Sequence, residues 1–365
     1  MSSVWNEPRA KGLATSTAPA VDVVWGTAFE LVLGLRMLVD HEEDPGSYSV
    51  GPRWFDEARA SLDAETLDAI ERYSGGQEIL FGYLLALAAD TPAPHDAAAF
   101  LATLAGTSPR DLRRLLLGHR LETYRGDVSR ETIAAAADRD DEAAALLLDG
   151  SAGWQRAAYE HVLSLAAGDA KRFLDAACRG WYDAVLHPDE QATARVLRRS
   201  ARAARALAGR LGSEELIDTL TRGIRYAPEP GIRRILLVPH VVSRPWSIFT
   251  ESEGTKIVCY GVAETHVTGD APPDPLVAAY KALGDETRLR ILRRLAEGPA
   301  GLQELTELLG LAKSTVHGHL LVLRTGGLVV AAVGKSTGYG LRRETLAESA
   351  ALLDTYLDAE ETEER

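Results

Sequence analysis

Apolar residues recur at helical spacing through the first two thirds of the chain. "WGTAFELVLGLRMLVDHEED", "ILFGYLLALAAD", "AAAFLATLAG", "DLRRLLLGHRLETY", "WQRAAYEHVLSLAAGDAKRFLDAACRGWYDAVL" and "TARVLRRSARAARALAGRL" each predict a helix between Val21 and Tyr226. Clusters of Gly, Pro, Ser and Asp such as "DPGSYSVGP" and "DTPAPHD" separate them. From Arg233 to Val262 the texture changes. "RRILLVPHVVSRPWSIFTESEGTKIVCYGV" is rich in Val, Ile, Tyr and Trp, with "ESEG" as a turn, and predicts two or three antiparallel strands. Pro239 and Pro245 lack a ladder donor, so they place the first strand at an edge or end it there. Residues 1–20, small and polar, read as a disordered tail, and "GDAPPDP", Gly269–Pro275, as a stiff linker.

The remaining pattern is compact. A short apolar helix over Pro275–Leu283 is followed by "GD", with Asp285 placed to N-cap "ETRLRILRRLAEG". In "LQELTELLG", Leu302, Leu305, Leu308 and Leu309 share one face and Gly310 ends the helix. A further helix starts near Lys313 and stops near "TGG"; "LVVAAV", "GKSTG" and "YGLRR" then predict a hairpin, and "ETLAESAALLDTYLDAE" a terminal helix. Two helices across a tight connection, then a small hairpin, are the parts of a winged helix-turn-helix. At about 100° per residue, Val316, Leu320 and Leu323 fall in one narrow inward sector, while Ser314 and Gly318 point outward with Thr315 and His317 beside them. That outward set, with Lys313 at the helix start, is the candidate surface for reading base edges, and Arg324 and Lys335 are candidates for phosphate contacts. Glycine inside a helix costs roughly 1 kcal/mol against alanine, so Gly318 is either a tolerated imperfection or a place for close backbone approach. His317 and His319 are rotated by about 200° and cannot chelate one ion; His319 falls towards the core.

"ALGDETRLRILRRLAEGPAGLQELTELLGLAKSTVHGHLLVLRTGGLV" resembles the ArsR/SmtB family of bacterial winged-helix repressors, and the resemblance runs from Pro275 to Leu357. It implies a homodimer paired through the first and last helices of the module, bound to an imperfect palindrome of double-stranded DNA and released by an effector. Two departures carry weight. Ala312 stands where the family has a serine, removing a capping hydroxyl worth about 1 kcal/mol. The family's metal sensors use a CxC before the turn or His and acidic ligands on the terminal helix, whereas "AGLQELTELL" and "ETLAESAALLDTYLDAE" contain neither Cys nor His. No metal or other cofactor is expected.

Composition sharpens the division of labour. The chain of 365 residues has a formal net charge of −13. Between Lys281 and Arg343 ten Lys or Arg face five acids, a local +5 that leaves −18 for the rest. Local charge governs what a patch attracts, because screening cuts off exposed charges beyond about 8 Å. The expected fold is mainly α: a tail (1–20), a helical sensor domain (21–268) ending in a β segment near 232–263, the linker (269–275), the winged module (276–358) and an acidic tail (359–365). The run "TRGIRYAPEPGIRRILLVPHVVSRPW" resembles a domain that precedes such winged helices in actinobacterial-type regulators, which implies no chemistry. No phosphate loop, dinucleotide fingerprint, zinc-protease or nucleophile-elbow motif occurs, so no enzyme is expected.

Cys178 and Cys259 read as buried thiols, and without a signal sequence or apolar span the expected location is cytoplasmic, with no membrane partner. Arg195, Arg198, Arg199, Arg202 and Arg205 recur at helical spacing: either a solvated face or an auxiliary contact to flanking DNA or an anionic effector. Trp246, Phe249, Cys259, Tyr260 and Tyr226 are candidates to line a ligand pocket or to fill the core. The functional expectation is a dimeric DNA-binding repressor controlled through its N-terminal domain, by a small-molecule effector or a protein, rather than by metal. Its rival is a protein-interaction regulator that binds a partner through the acidic domain and uses the winged helix mainly to dimerise.

Overall fold

In the computed structural model the residues described are 19–40, 45–263, 274–333, 338–343, 345, 346, 348–350 and 353. The expected linker, the hairpin tip with Lys335, both tails and most of the terminal helix lie outside them, save that Pro19 and Ala20 are described and Asp274 and Pro275 open a helix. Among the described residues the strands are β1 (Ala20–Val23), β2 (Ile224–Tyr226), β3 (Arg234–His240), β4 (Ile248–Ser252), β5 (Thr255–Gly261), β6 (Val329–Val333) and β7 (Gly338–Leu341). They divide between two compact units: a larger one of residues 19–205 and 229–261, and a smaller one of 206–228 and 262–353.

The larger unit is built around α1 (Thr27–Asp40). Every residue from Thr27 to Leu35, with Met37 and Leu38, is buried, as suits a helix apolar on nearly all sides. The surrounding helices begin where the polar clusters place capping groups: Asp63, Asp96, Ser108, Ser129 and Asp140 each accept from the backbone N–H three residues on. Two longer helices, α2 (Ala167–Trp181) and α3 (Glu190–Ala208), are joined by a π-helical turn, Tyr182–Leu186, and a 3-10 turn, His187–Asp189.

One sheet, in the order β1-β3-β5-β4, packs beside them. β4 and β5 form the antiparallel pair expected on either side of "ESEG", with Phe249 opposite Val258. β3, however, runs parallel to β5, and β1 runs parallel to β3, so the sheet is mixed. The reason is legible in hindsight. β3 is buried on both faces from Ile235 to His240, and an unbroken apolar run of this kind marks a parallel interior strand rather than an alternating one. β1, expected to belong to the tail and the start of the helical region, supplies its other neighbour. Pro239 is tolerated there because the Leu237 carbonyl faces β1, accepting from Val24 N–H at 3.0 Å, and Pro239 faces the same side two residues later, after β1 has ended. Cys259 and Tyr260 are fully covered within β5, as core residues of the larger unit, and Tyr226 is buried in the smaller one. Both thiols are free and buried.

The smaller unit contains α4 (Ser213–Thr221), α5 (Asp274–Leu283), α6 (Glu286–Leu295), α7 (Leu302–Leu309) and α8 (Lys313–Thr325). Asp285 caps α6, accepting from Arg288 N–H at 2.9 Å, and Gly310 closes α7 in the left-handed conformation. Ile291, Leu295, Leu305, Val316, Leu320, Leu323, Leu328 and Val329 form the core. Leu308 departs from the expected α7 face and is half exposed, because it is rotated by about 100° from Leu309. β6 and β7 make the wing, and Ala300 pairs with Tyr339 on the far side of β7. The wing also gains an unexpected strand: β2 lies parallel to β6, with Ile224 opposite Ala331 and Tyr226 opposite Val333.

Candidate nucleic-acid interface

α8 is held by its inward residues. Val316, Leu320 and Leu323 are no more than 1% exposed, in the sector the wheel assigns them. Ser314 and Thr315 stand exposed in the first turn; Lys313, His317 and Gly318 are half-buried around them. No side chain caps the helix at Ala312 and no acid occupies its first turn, so its leading N–H groups and the positive end of its dipole are left for an anion. Burial pushes the His317 imidazole below its ordinary pKa, and the charges of Arg324 and Lys313 push the same way. His319 turns instead towards Asp285, with 3.8 Å between Nδ1 and Oδ1.

Arg324 is not at the surface. It is 6% exposed and donates through Nη1 to the Thr221 carbonyl, so the phosphate contact expected of it gives way to a structural one. The wheel contained this result: Arg324 lies at about 80° from Val316, within about 40° of Leu320. Burial lowers its pKa to about 10, Tyr339 opposing and Arg222 adding to the shift. Beside it, Arg342 donates to both oxygens of Asp218 at 3.0 and 3.1 Å. Sequence reasoning missed Thr221, Asp218 and Gly223, which lie some hundred residues earlier and are held to the wing and to the end of α8 by these hydrogen bonds, by the Gly223 carbonyl, which accepts from Ala331 N–H at 3.0 Å, and by the β2–β6 ladder.

In the larger unit Arg195, Arg198, Arg199 and Arg202 are exposed along α3, whose other face is fixed by Leu197, Ser200, Ala201 and Ala204. Arg205 is exposed as well, but it is tied down: its Nε and Nη2 donate to the Val23 carbonyl at 3.2 and 2.8 Å. Among the described residues no group of three or more His, Cys, Asp or Glu is placed to hold a metal, and no helix is long and apolar enough to cross a membrane.

Four helices with an Ala300 bridge and a β6–β7 wing, carrying a second helix of the turn whose leading residues face outward, define a winged helix-turn-helix of the DNA-binding class. Residues 285–330 match the bacterial regulatory protein, arsR family. The HTH-type transcriptional regulators CmtR of Mycobacterium bovis and Mycobacterium tuberculosis are 39% identical over 85 residues, 23% of this chain and 72% of theirs. The chain therefore belongs to the ArsR family of bacterial regulatory proteins and is a DNA-binding transcriptional regulator. No solved structure matches it.

Proposed function

We propose that the chain is a dimeric repressor that reads an imperfect palindrome through α8 and whose hold on DNA is set by the larger unit rather than by metal. The observation that carries the reading is the outward N-terminal turn of α8, with Ser314 and Thr315 exposed and Gly318 beside them, above a core that fixes the helix. Lys313, His317 and, at the wing tip, Lys335 complete the proposed contact set. Dimerisation is supported by Tyr280 on α5 and Leu346 near the start of the terminal segment, large apolar residues left 44% and 40% exposed on the two segments through which the family pairs.

Control by the larger unit is supported by the course of the chain. Residues 206–228 belong to the winged unit, yet both ends of this segment continue into the other. Within it α4 and β2 hold the wing edge and the last turn of α8, through Thr221, Asp218 and the β2–β6 ladder. A displacement of this strap acts directly on the base of the recognition helix. Gel shifts with the DNA upstream of the chain's own coding region, followed by selection of bound fragments from random DNA, test the proposal. Recovery of a palindrome supports it; absence of any sequence-selective binding removes it.

A further inference from the structure

The larger unit holds a cavity of about 140 Å³ at the carboxyl ends of its parallel strands. Val241 and Val242, which leave β3, form one side, and Glu30, in the first turn of the helix that follows β1, forms another. This is the end at which open sheets with parallel strands bind ligands. Trp54, from the helix Pro52–Ser61, and Trp181, at the end of α2, face it with ring centroids 6.0 Å apart in an edge-to-face arrangement. Trp181 lies against α1 at Gly34, where a Cβ would come within 2.7 Å of the indole, so glycine sets that wall. The π-helical turn contributes Val185 and Leu186; such turns are rare and gather at functional sites.

Among the described residues the ionisable groups lining the cavity are two acids, Glu30 and Asp189. Glu30 is 4% exposed, and its two oxygens accept from the N–H groups of Val241 and Val242 at 2.5 and 3.0 Å, which leaves capacity for a further donor. Burial raises its pKa to about 7, against the pull of those N–H groups and of Arg244. The other titratable groups towards Glu30 are Arg244, whose Nε donates to the Val241 carbonyl at 3.2 Å, and the Cys259 thiol, raised by burial; Asp189 lies on the cavity wall. An apolar, aromatic space whose described ionisable lining is acidic is matched by a cation carrying an apolar body. Indole faces attract ammonium groups, and the volume is close to the roughly 150 Å³ that takes benzene.

We propose that this cavity binds a small organic cation, a primary ammonium on a single ring or short branched carbon body, with the nitrogen donating to Glu30 and the body against Trp54 and Trp181. The proposal names a ligand class for the unit to which control was assigned above, but its test uses no DNA, so it stands or falls separately. The full chain is titrated at pH 8 with benzylammonium, benzyl alcohol and benzoate while tryptophan fluorescence is followed. The expected result is saturable binding of benzylammonium at least about tenfold tighter than benzyl alcohol, with none for benzoate. Below pH 7 the benzylammonium affinity falls by up to about tenfold per pH unit, because Glu30 must lose its proton to hold the cation. Thr193→Phe, which fills the cavity from α3, abolishes binding with the far-UV circular dichroism unchanged. Equal affinity for the alcohol, a flat pH profile on the unaltered chain, or no saturable binding of any probe overturns the proposal. The pH profile needs no variant, so a Thr193→Phe chain that does not fold leaves the test intact.

Discussion

Lys256 and Glu251 are 2% and 1% exposed, and the surrounding residues show why the larger unit tolerates them. Lys256 Nζ donates to Glu229 at 3.0 Å and to Glu251 at 3.3 Å, and lies 4.3 Å from the Tyr124 ring centroid. Glu251 in turn accepts from the N–H groups of Glu122, Thr123 and Tyr124 and from the Thr123 hydroxyl, which ties β4 to the 122–124 segment. Burial alone would raise the Glu251 carboxyl, but Lys256 and these donors hold it below its ordinary value. A carboxylate with a depressed folded pKa adds stability above its unfolded value, about 4.3, and loses it as pH falls through the folded value. Lys256→Met strands that charge and should cost about 3–5 kcal/mol in urea unfolding at pH 7. Its deficit should shrink as the pH falls through the ordinary carboxylate range, because the stranded Glu251 takes up a proton once Lys256 no longer holds it ionised; a deficit constant with pH excludes this account. At α8, Gly318→Ala should stabilise the helix by about 1 kcal/mol while weakening DNA binding. If affinity is unchanged, the close-approach role goes and the glycine is only an imperfection.

Elements differ in how openly the sequence declares them. The α8 sector of Val316, Leu320 and Leu323, the Asp285 cap and the Gly310 stop are local signals, and the structure keeps all three. β1 is only four residues, too short for periodicity to speak, and its partner lies more than two hundred residues away. β2 is shorter still and is made a strand by β6 alone. Arg324 hides for another reason: its charge suggests the surface, while its position on the wheel, within about 40° of Leu320, turns it inward. The β2 strap makes its own prediction. Gly223 has φ +100°, and a Cβ there would stand 3.1 Å from the Val329 carbonyl oxygen, so Gly223→Ala is strained in both backbone and space. The variant should loosen the β2–β6 ladder, raising amide exchange at Ala331 more than at Val316. DNA affinity should fall with it. A loosened ladder with native DNA affinity would detach the strap from regulation.

At the scale of the whole molecule an acidic chain approaches an acidic polymer, and the question is which surfaces overcome the repulsion. The winged window carries +5 against −18 elsewhere, and the proposed dimer would present that window twice. Tyr280→Glu should therefore weaken DNA binding indirectly, by shifting sedimentation towards the monomer and halving the basic surface. The exposed arginines of α3 bear on the same balance from within the acidic part. If Arg195, Arg198 and Arg202 meet phosphates beside the operator, each contact releases condensed counterions, and the plot of log affinity against log salt steepens by about one unit per contact. Replacing the three by Gln should then flatten the slope by two to three units, roughly, while leaving the order of preference among operator variants intact, because phosphate contacts position without reading bases. A solvated stripe behaves differently. Its loss leaves the slope and the affinity at physiological salt essentially as they were, because exposed charges further than about 8 Å from the DNA are screened. The two outcomes separate in one titration series, and they decide whether the arginines of α3 touch DNA.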